Sequence, residues 1–162
     1  MKDQVIARRT LLTMGGATAA TMLCSTPARA ESCGGLTREE FERYIAIFSE
    51  NDRDDYADFY TPDVLYERGD RHVMRGIESI VAFYRELHRH LSHKLRVVNF
   101  ASAGDFVAAE VHSEFTVFKD YQHESGLDFK AGDHFIGHNF VHYELRDGRI
   151  CHIKSTRFKR IA

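Results

Sequence analysis

The sequence has no unbroken run of about 20 apolar residues, so nothing in it spans a bilayer once the N-terminal segment is set aside. It has no G-x-G-x-x-G fingerprint, no phosphate-binding loop and no nucleophile elbow, so NAD and ATP lose their usual sequence support. Cysteine is scarce, with three in 162 residues and no C-x-x-C pair, which leaves a cysteine zinc site without a basis. A strong charge of one sign is also missing. The formal net charge is −2 at pH 7, which gives neither nucleic acid nor an anionic membrane an electrostatic reason to bind. No internal repeat and no low-complexity tract occurs after residue 30. The full sequence is 43% hydrophobic and 28% charged, an ordinary globular composition. The length suits one domain with a single core.

Residues 1–30 read as a targeting segment. Lys2, Arg8 and Arg9 give a charged start, Thr10 to Leu23 are mildly apolar, and Ala28-Arg29-Ala30 forms a small-x-small cleavage pattern. Arg8-Arg9 followed by Thr10-Leu11-Leu12 resembles a twin-arginine signal, which implies export to the periplasm or beyond. Residues 31–36 then form a tether and residues 37–162 the folded domain. The mature part, residues 31–162, is more acidic than the whole chain, because Lys2, Arg8, Arg9 and Arg29 leave with only Asp3. It keeps Cys33 in the tether and Cys151 in the domain, which an oxidising compartment allows to pair or to stay free.

Thr37, with Glu40 three residues later, forms a capping-box pattern. The spacing of Phe41, Tyr44, Ile45, Ile47 and Phe48 predicts a helix to about Asn51. A second, short helix is expected over Asp54–Tyr60, stopped by Thr61-Pro62. Val64–Arg68 and Arg71–Arg75 read as a hairpin about Gly69-Asp70. Ile77 to about Leu91 reads as a long helix with one broad apolar face. The period then changes to two, predicting strands over Lys94–Ser102, Phe106–Lys119, His134–Arg146 and Arg149–Arg160, with an open loop over Asp120–Asp133. The fold class expected is α+β: a cone-shaped, curved antiparallel sheet wrapped around three helices of the N-terminal half, with an internal pocket. Tyr56, Phe59, Tyr60, Tyr66, Phe83 and Tyr84 fall where the two layers would meet.

Alternation assigns the faces of the strands. Val107, Ala109, Val111, Ser113, Phe115 and Val117 form one mostly apolar side. Gly137, Asn139, Val141, Tyr143 and Leu145 form the same side of the next strand, and Cys151, Ile153, Ser155 and Arg157 that of the last. These odd-numbered positions are expected to face the helices. Ser113, Asn139, Tyr143, Ser155 and Arg157 then become inward polar groups that need partners, a ligand among them. His112, His134, His138, His142 and His152 invite a metal reading. Strand spacing spreads them along the outer surface, however, so no metal is expected.

The segments ADFYTPDVLYERG, RGIESIVAFYRELH and ELRDGRICHIKSTRF, with a histidine opening the strand between, resemble the SnoaL-like, nuclear transport factor 2-like superfamily over about residues 37–160. This superfamily holds polyketide cyclases, ketosteroid isomerases, epoxide hydrolases and dehydratases, so the resemblance implies the cone fold far more sharply than an activity. It implies a homodimer and cofactor-free chemistry. It places Tyr44 at the helix tyrosine that donates a hydrogen bond to a substrate oxygen, and Tyr60 and Tyr84 at two further pocket tyrosines. It places His93 at the histidine that serves dehydratases as base. The departures are equally informative. Arg68 stands where isomerases carry their catalytic aspartate and Val141 where they carry a second acid. Val111, Ser113 and Ser155 replace the Arg–Asp–Asp set of epoxide hydrolases. Ser49, with Glu50 beside it, replaces the aspartate that partners the dehydratase histidine.

Three readings follow. The first is an exported lyase or isomerase acting on a hydrophobic, oxygenated small molecule of steroid or polyketide type. His93 would be its acid/base and Tyr44 its oxygen donor, with Tyr60, Tyr66, Arg68, Tyr84, Asn139, Tyr143, Ser155 and Arg157 around the substrate. Arg68 and Arg157, if both project inward, favour an acidic or enolate-forming ligand. The second is a periplasmic binding or accessory protein without chemistry. The third is a dimerisation module that uses the outer sheet face.

Overall fold

The computed structural model describes residues 35–69, 72–122 and 128–161. The expected leader, most of the tether and Cys33 lie outside the described residues. Two α-helices, α1 (Arg38–Phe48) and α2 (Ile77–His88), lie against a six-stranded sheet. Its strands are β1 (Tyr60–Arg68), β2 (His72–Arg75), β3 (Leu91–Ala103), β4 (Phe106–Val117), β7 (His134–Arg146) and β8 (Arg149–Arg160), in the order β2-β1-β8-β7-β4-β3. Two short strands, β5 (Tyr121–Gln122) and β6 (Asp128–Phe129), pair with each other where an open loop was expected. No described helix is long and apolar enough to cross a membrane.

Helix α1 begins where its capping box closes. The Thr37 N–H donates to Glu40 Oε2 (2.9 Å) and the Glu40 N–H to Thr37 Oγ1 (3.2 Å). These bonds hold the Glu40 carboxyl below its ordinary range. Phe41, Tyr44, Ile45 and Phe48 recur at the helical period and are buried together. Helix α2 starts at Gly76, whose φ of 78° is open to glycine and strained for other residues. It buries Ile80, Val81, Tyr84 and Leu87.

Three expectations are corrected. Asp55–Phe59 is a single 3-10 segment, so the layer holds two α-helices rather than three. Pro62 stops no helix. It lies within β1, between Tyr60 and Leu65, where pairing with β8 is interrupted and its missing N–H costs no ladder bond. The sheet is mixed rather than antiparallel, because β8 returns beside β1 in the parallel sense. Strand periodicity reveals faces and leaves open which edges meet.

The sheet curves where extra residues enter its ladders. Register shifts occur in β3 between Val97 and Asn99, and between β7 and β8 at His138/Asn139 and Glu144/Leu145. The last of these alters the expected face of Cys151. Ile150 and Ile153 are both buried, so Cys151 is the residue that bulges, with Sγ at 3.4 Å from the Glu144 carbonyl. The alternation on β4 is as expected, Val107 to Val117 facing inward at every second position.

Candidate functional site: a tyrosine-lined cleft around a buried histidine

Helix α1, helix α2 and the inner sheet face enclose a cleft of about 520 Å³. The sheet supplies Tyr66 and Arg68 from β1, Asn139 and Tyr143 from β7, and Ser155 and Arg157 from β8. Tyr44 comes from α1, Tyr60 from the start of β1, Tyr84 from α2 and His93 from β3, so every site residue named from the sequence borders this one space. Phe48, Leu87, Leu95 and Phe115 add an apolar wall that the sequence reading did not assign to the site. Phe48 was legible in principle, lying one helical turn beyond Tyr44 on the same face.

His93 is 7% exposed, and among the described residues neither ring nitrogen has a hydrogen-bond partner. Its ring stacks on Phe115 at 4.3 Å, meets Phe48 edge-on at 5.4 Å and lies near Tyr84 at 6.2 Å. Burial, then the fields of His88, Arg68 and Arg157, push its pKa well below the ordinary histidine value. The imidazole is therefore neutral near pH 7, with one nitrogen free to accept a proton and the other to donate one. Buried polar atoms without partners are uncommon, and here they border a cavity.

Neither Ser49 nor Glu50, which stand where dehydratases carry the partner aspartate, bonds to this histidine. Ser49 donates its hydroxyl to the Ile45 carbonyl (2.8 Å) and accepts the Leu95 N–H (2.9 Å). Glu50 points outward to Arg53 (2.9 Å). Asn51, read from the sequence only as a helix breaker, bridges to the same strand. Its Nδ2 donates to the Leu91 carbonyl (3.3 Å) and its Oδ1 accepts the His93 N–H (3.3 Å). Because β3 is an edge strand, Ser49 and Asn51 satisfy backbone groups that no neighbouring strand can reach. They also fix the height of His93 against α1. Asn51→Ala is expected to destabilise the protein by about 1–3 kcal/mol in urea unfolding, since two partly buried backbone groups lose their partners.

The tyrosines form two linked pairs. Tyr44 and Tyr60 share a hydrogen bond of 2.8 Å, and the Tyr84 hydroxyl donates to that of Tyr66 at 3.1 Å. Burial raises the pKa of Tyr44, Tyr60, Tyr84 and Tyr143 well above the ordinary phenol value. They are therefore hydrogen-bond donors at neutral pH, and none of the four is a base. Asn139 donates to Ser113 Oγ (2.7 Å), which accounts for two of the inward polar groups.

The matching family model is the SnoaL-like domain, which covers residues 41–153. The chain belongs to the SnoaL-like family. Solved structures of low sequence identity share the fold of this SnoaL-like protein. A candidate polyketide cyclase from Xanthomonas campestris pv. campestris is 19% identical over 72% of this chain and 85% of its own, with a TM-score of 0.62. A protein of ketosteroid isomerase-like fold from Catenulispora acidiphila, in complex with trimethylamine, is 14% identical over 74% and 85%, with a TM-score of 0.60. An epoxide hydrolase of the LEH-like type from M. tuberculosis is 15% identical over 71% and 80%, with a TM-score of 0.55. Among curated proteins nothing matches.

The outer face of this SnoaL-like sheet has its own order. His134 pairs with Glu114 (3.0 Å), His152 with Glu67 (2.9 Å), and His138 with Glu110. His112 accepts a hydrogen bond from Arg96 (2.7 Å). Each of these histidines thus has a neighbour of its own, and among the described residues no three His, Cys, Asp or Glu side chains converge as metal ligands.

Proposed function

We propose that this SnoaL-like protein is a cofactor-independent lyase or isomerase acting on a hydrophobic, oxygenated small molecule, of steroid or polyketide type, enclosed in the cleft. The observation that carries this reading is the neutral, unpartnered imidazole of His93 at an aromatic cavity wall. In the reaction, the free ring nitrogen of His93 takes a proton from the carbon next to a carbonyl. The electron pair moves towards the carbonyl oxygen, where a tyrosine hydroxyl of the Tyr44–Tyr60 pair donates a hydrogen bond. The imidazolium then returns its proton to a different carbon, which isomerises the substrate, or to a departing β-oxygen, which dehydrates it. The account differs from the dehydratase pattern in one respect: among the described residues no carboxylate steadies the imidazolium, so the proton must be returned quickly.

Deuterium uptake from D2O at the α-carbon of polycyclic ketones tests this reading. Uptake above the buffer rate is expected, and its absence for every ketone that binds would favour the alternative, a binding protein without chemistry. The missing family acids at Arg68, Val141 and Ser49 are the observation on that side.

The outer sheet face is proposed as a homodimer contact. Phe140 and Phe158 are 45% and 62% exposed and lie 5.6 Å apart, beside a groove over Ala101 and Ala108. Alternating histidines and glutamates make the face complementary to itself, as a two-fold contact requires. Phe158→Asp is expected to convert a dimer to a monomer in sedimentation velocity. A natural chain that sediments as a monomer would end the proposal. Residues 1–30 are proposed as a cleaved export leader. Mass measurement of protein recovered from the periplasm tests this, with Glu31 expected as the first residue.

A further inference from the structure

Five arginines of this protein, Arg38, Arg53, Arg85, Arg89 and Arg146, each pair with an aspartate or glutamate. Arg68 and Arg157, like Arg43, Arg75, Arg96 and Arg149, have no such pair among the described residues. Of these, Arg68 and Arg157 border the cleft, whose described lining holds no carboxylate. Arg68 is half-buried and Arg157 is exposed at the rim, and the strands hold them side by side. Arg68 is in register with Ser155 across the parallel β1–β8 pair, and Arg157 is two residues further on the same strand face. The Gly69 N–H donates to the Ser155 carbonyl (2.8 Å), which locks that register. The Arg68 guanidinium lies over the Phe83 ring at 5.4 Å. Arg157 lies against Gly137, where a Cβ would come within 3.4 Å of Nε, so glycine leaves room for the guanidinium. Burial, Arg68 and Arg160 together lower the affinity of Arg157 for its proton.

Two like charges held beside an apolar cavity, with no acid among its described lining residues, are unfavourable in the empty protein. A bound anion reverses the sign of that interaction. The guanidinium fork matches a carboxylate in particular, giving paired, charge-assisted bonds. The rest of the wall, with Phe48, Leu87 and Phe115, suits a flat apolar body.

We propose that the ligand of this cleft is a carboxylic acid: a flat, largely apolar ring system whose carboxylate is held by Arg68 and Arg157 while its rings reach inward towards His93. This rests on the reading that the cleft is the ligand site, and it adds the charge and the class of the ligand. It also sets the polarity of binding, with the acid group at the two arginines and any reacting carbonyl at the histidine and tyrosine end.

Two fluorescent probes of nearly equal shape separate the parts of the claim. Anthracene-2-carboxylate carries the anion, and anthracene-2-carboxamide does not. Titration of the full-length protein and of Arg68→Gln and Arg157→Gln, each checked for an unchanged melting temperature, gives four comparisons. The natural chain is expected to bind the carboxylate at least tenfold tighter than the amide. Each variant is expected to lose tenfold or more for the carboxylate and less than twofold for the amide. Added KCl should weaken only the carboxylate. Equal binding of the two probes by the natural chain overturns the carboxylic acid and leaves the cleft as a ligand site. Equal loss of both probes in the variants also overturns it, because the arginines would then only shape the wall. Failure of both probes to bind the natural chain overturns both this inference and the site reading beneath it.

Discussion

Replacing His93 by phenylalanine is expected to lower turnover by about a hundred- to ten-thousand-fold, the range that a positioned acid/base supplies, while leaving the folded protein at least as stable as before. The two halves of this expectation have one cause. His93 keeps two polar nitrogens in a place where neither finds a partner. Each such atom costs roughly 1–3 kcal/mol relative to a satisfied one. A phenyl ring removes both and keeps the stacking on Phe115 and the edge contact with Phe48. Its extra volume extends into the cleft rather than into packed core. A histidine retained only for packing would behave otherwise. Its replacement would leave turnover intact, or would lower stability and turnover together. A rise in the unfolding midpoint with loss of turnover would mark a group that the fold retains for its chemistry.

Stability is expected to fall as pH is lowered from 7 towards 5, and His93 is expected to account for a measurable part of the slope. In the unfolded chain an ordinary histidine binds its proton near pH ~6.5. In the folded protein His93 resists protonation until well below its ordinary value. Between the two values the unfolded state holds more protons, so unfolding is favoured as pH drops. The stabilisation is fully present above pH ~6.5 and is lost progressively below it, at up to about 1.4 kcal/mol per pH unit for one group. His88, also lowered by burial, and His112, lowered by burial and by Arg96, act in the same direction. Glu40, Asp63, Asp120 and Glu144 are held below their ordinary values, so they add losses only at more acidic pH. The difference between the natural chain and His93→Phe isolates the one residue. Urea midpoints at pH 7.5, 6.5 and 5.5 should converge in the variant relative to the natural chain. Parallel slopes in the two proteins would mean that His93 titrates normally.

The α+β class and the inward face of β4 followed from periodicity, because a one-residue shift there would move Val107, Val111 and Val117 into water. The parallel β1–β8 contact was not legible, since it depends on where the chain returns after β7 and no residue pattern encodes that. Cys151 was placed on the wrong face for a similar reason. A bulge shifts the count by one, and nothing in RICHIKS marks it. Ser49 shows the opposite limit. Comparison of motifs suggested a substitute partner for His93, whereas the Ser49 hydroxyl is engaged by backbone on both sides. Asn139, Tyr143, Ser155 and Arg157 were nameable because inward polar groups on an apolar strand face are conspicuous, whereas Tyr44, Tyr60, Tyr84 and His93 were nameable only through the family resemblance. Phe48, Leu87, Leu95 and Phe115 were passed over as core, since an apolar cleft wall and an apolar core read alike in a sequence.

The central claim is that His93 is a neutral, solvent-shielded imidazole that meets the ligand. Long-range 1H–15N spectra of the histidine rings test it most directly, with the His93 signals assigned by their loss in His93→Phe. The account expects no titration of His93 between pH 7.5 and 5.5, and a shift of its ring nitrogens when anthracene-2-carboxylate is added. Titration with a midpoint near pH ~6.5, together with ring nitrogens that do not respond to the probe, would contradict it.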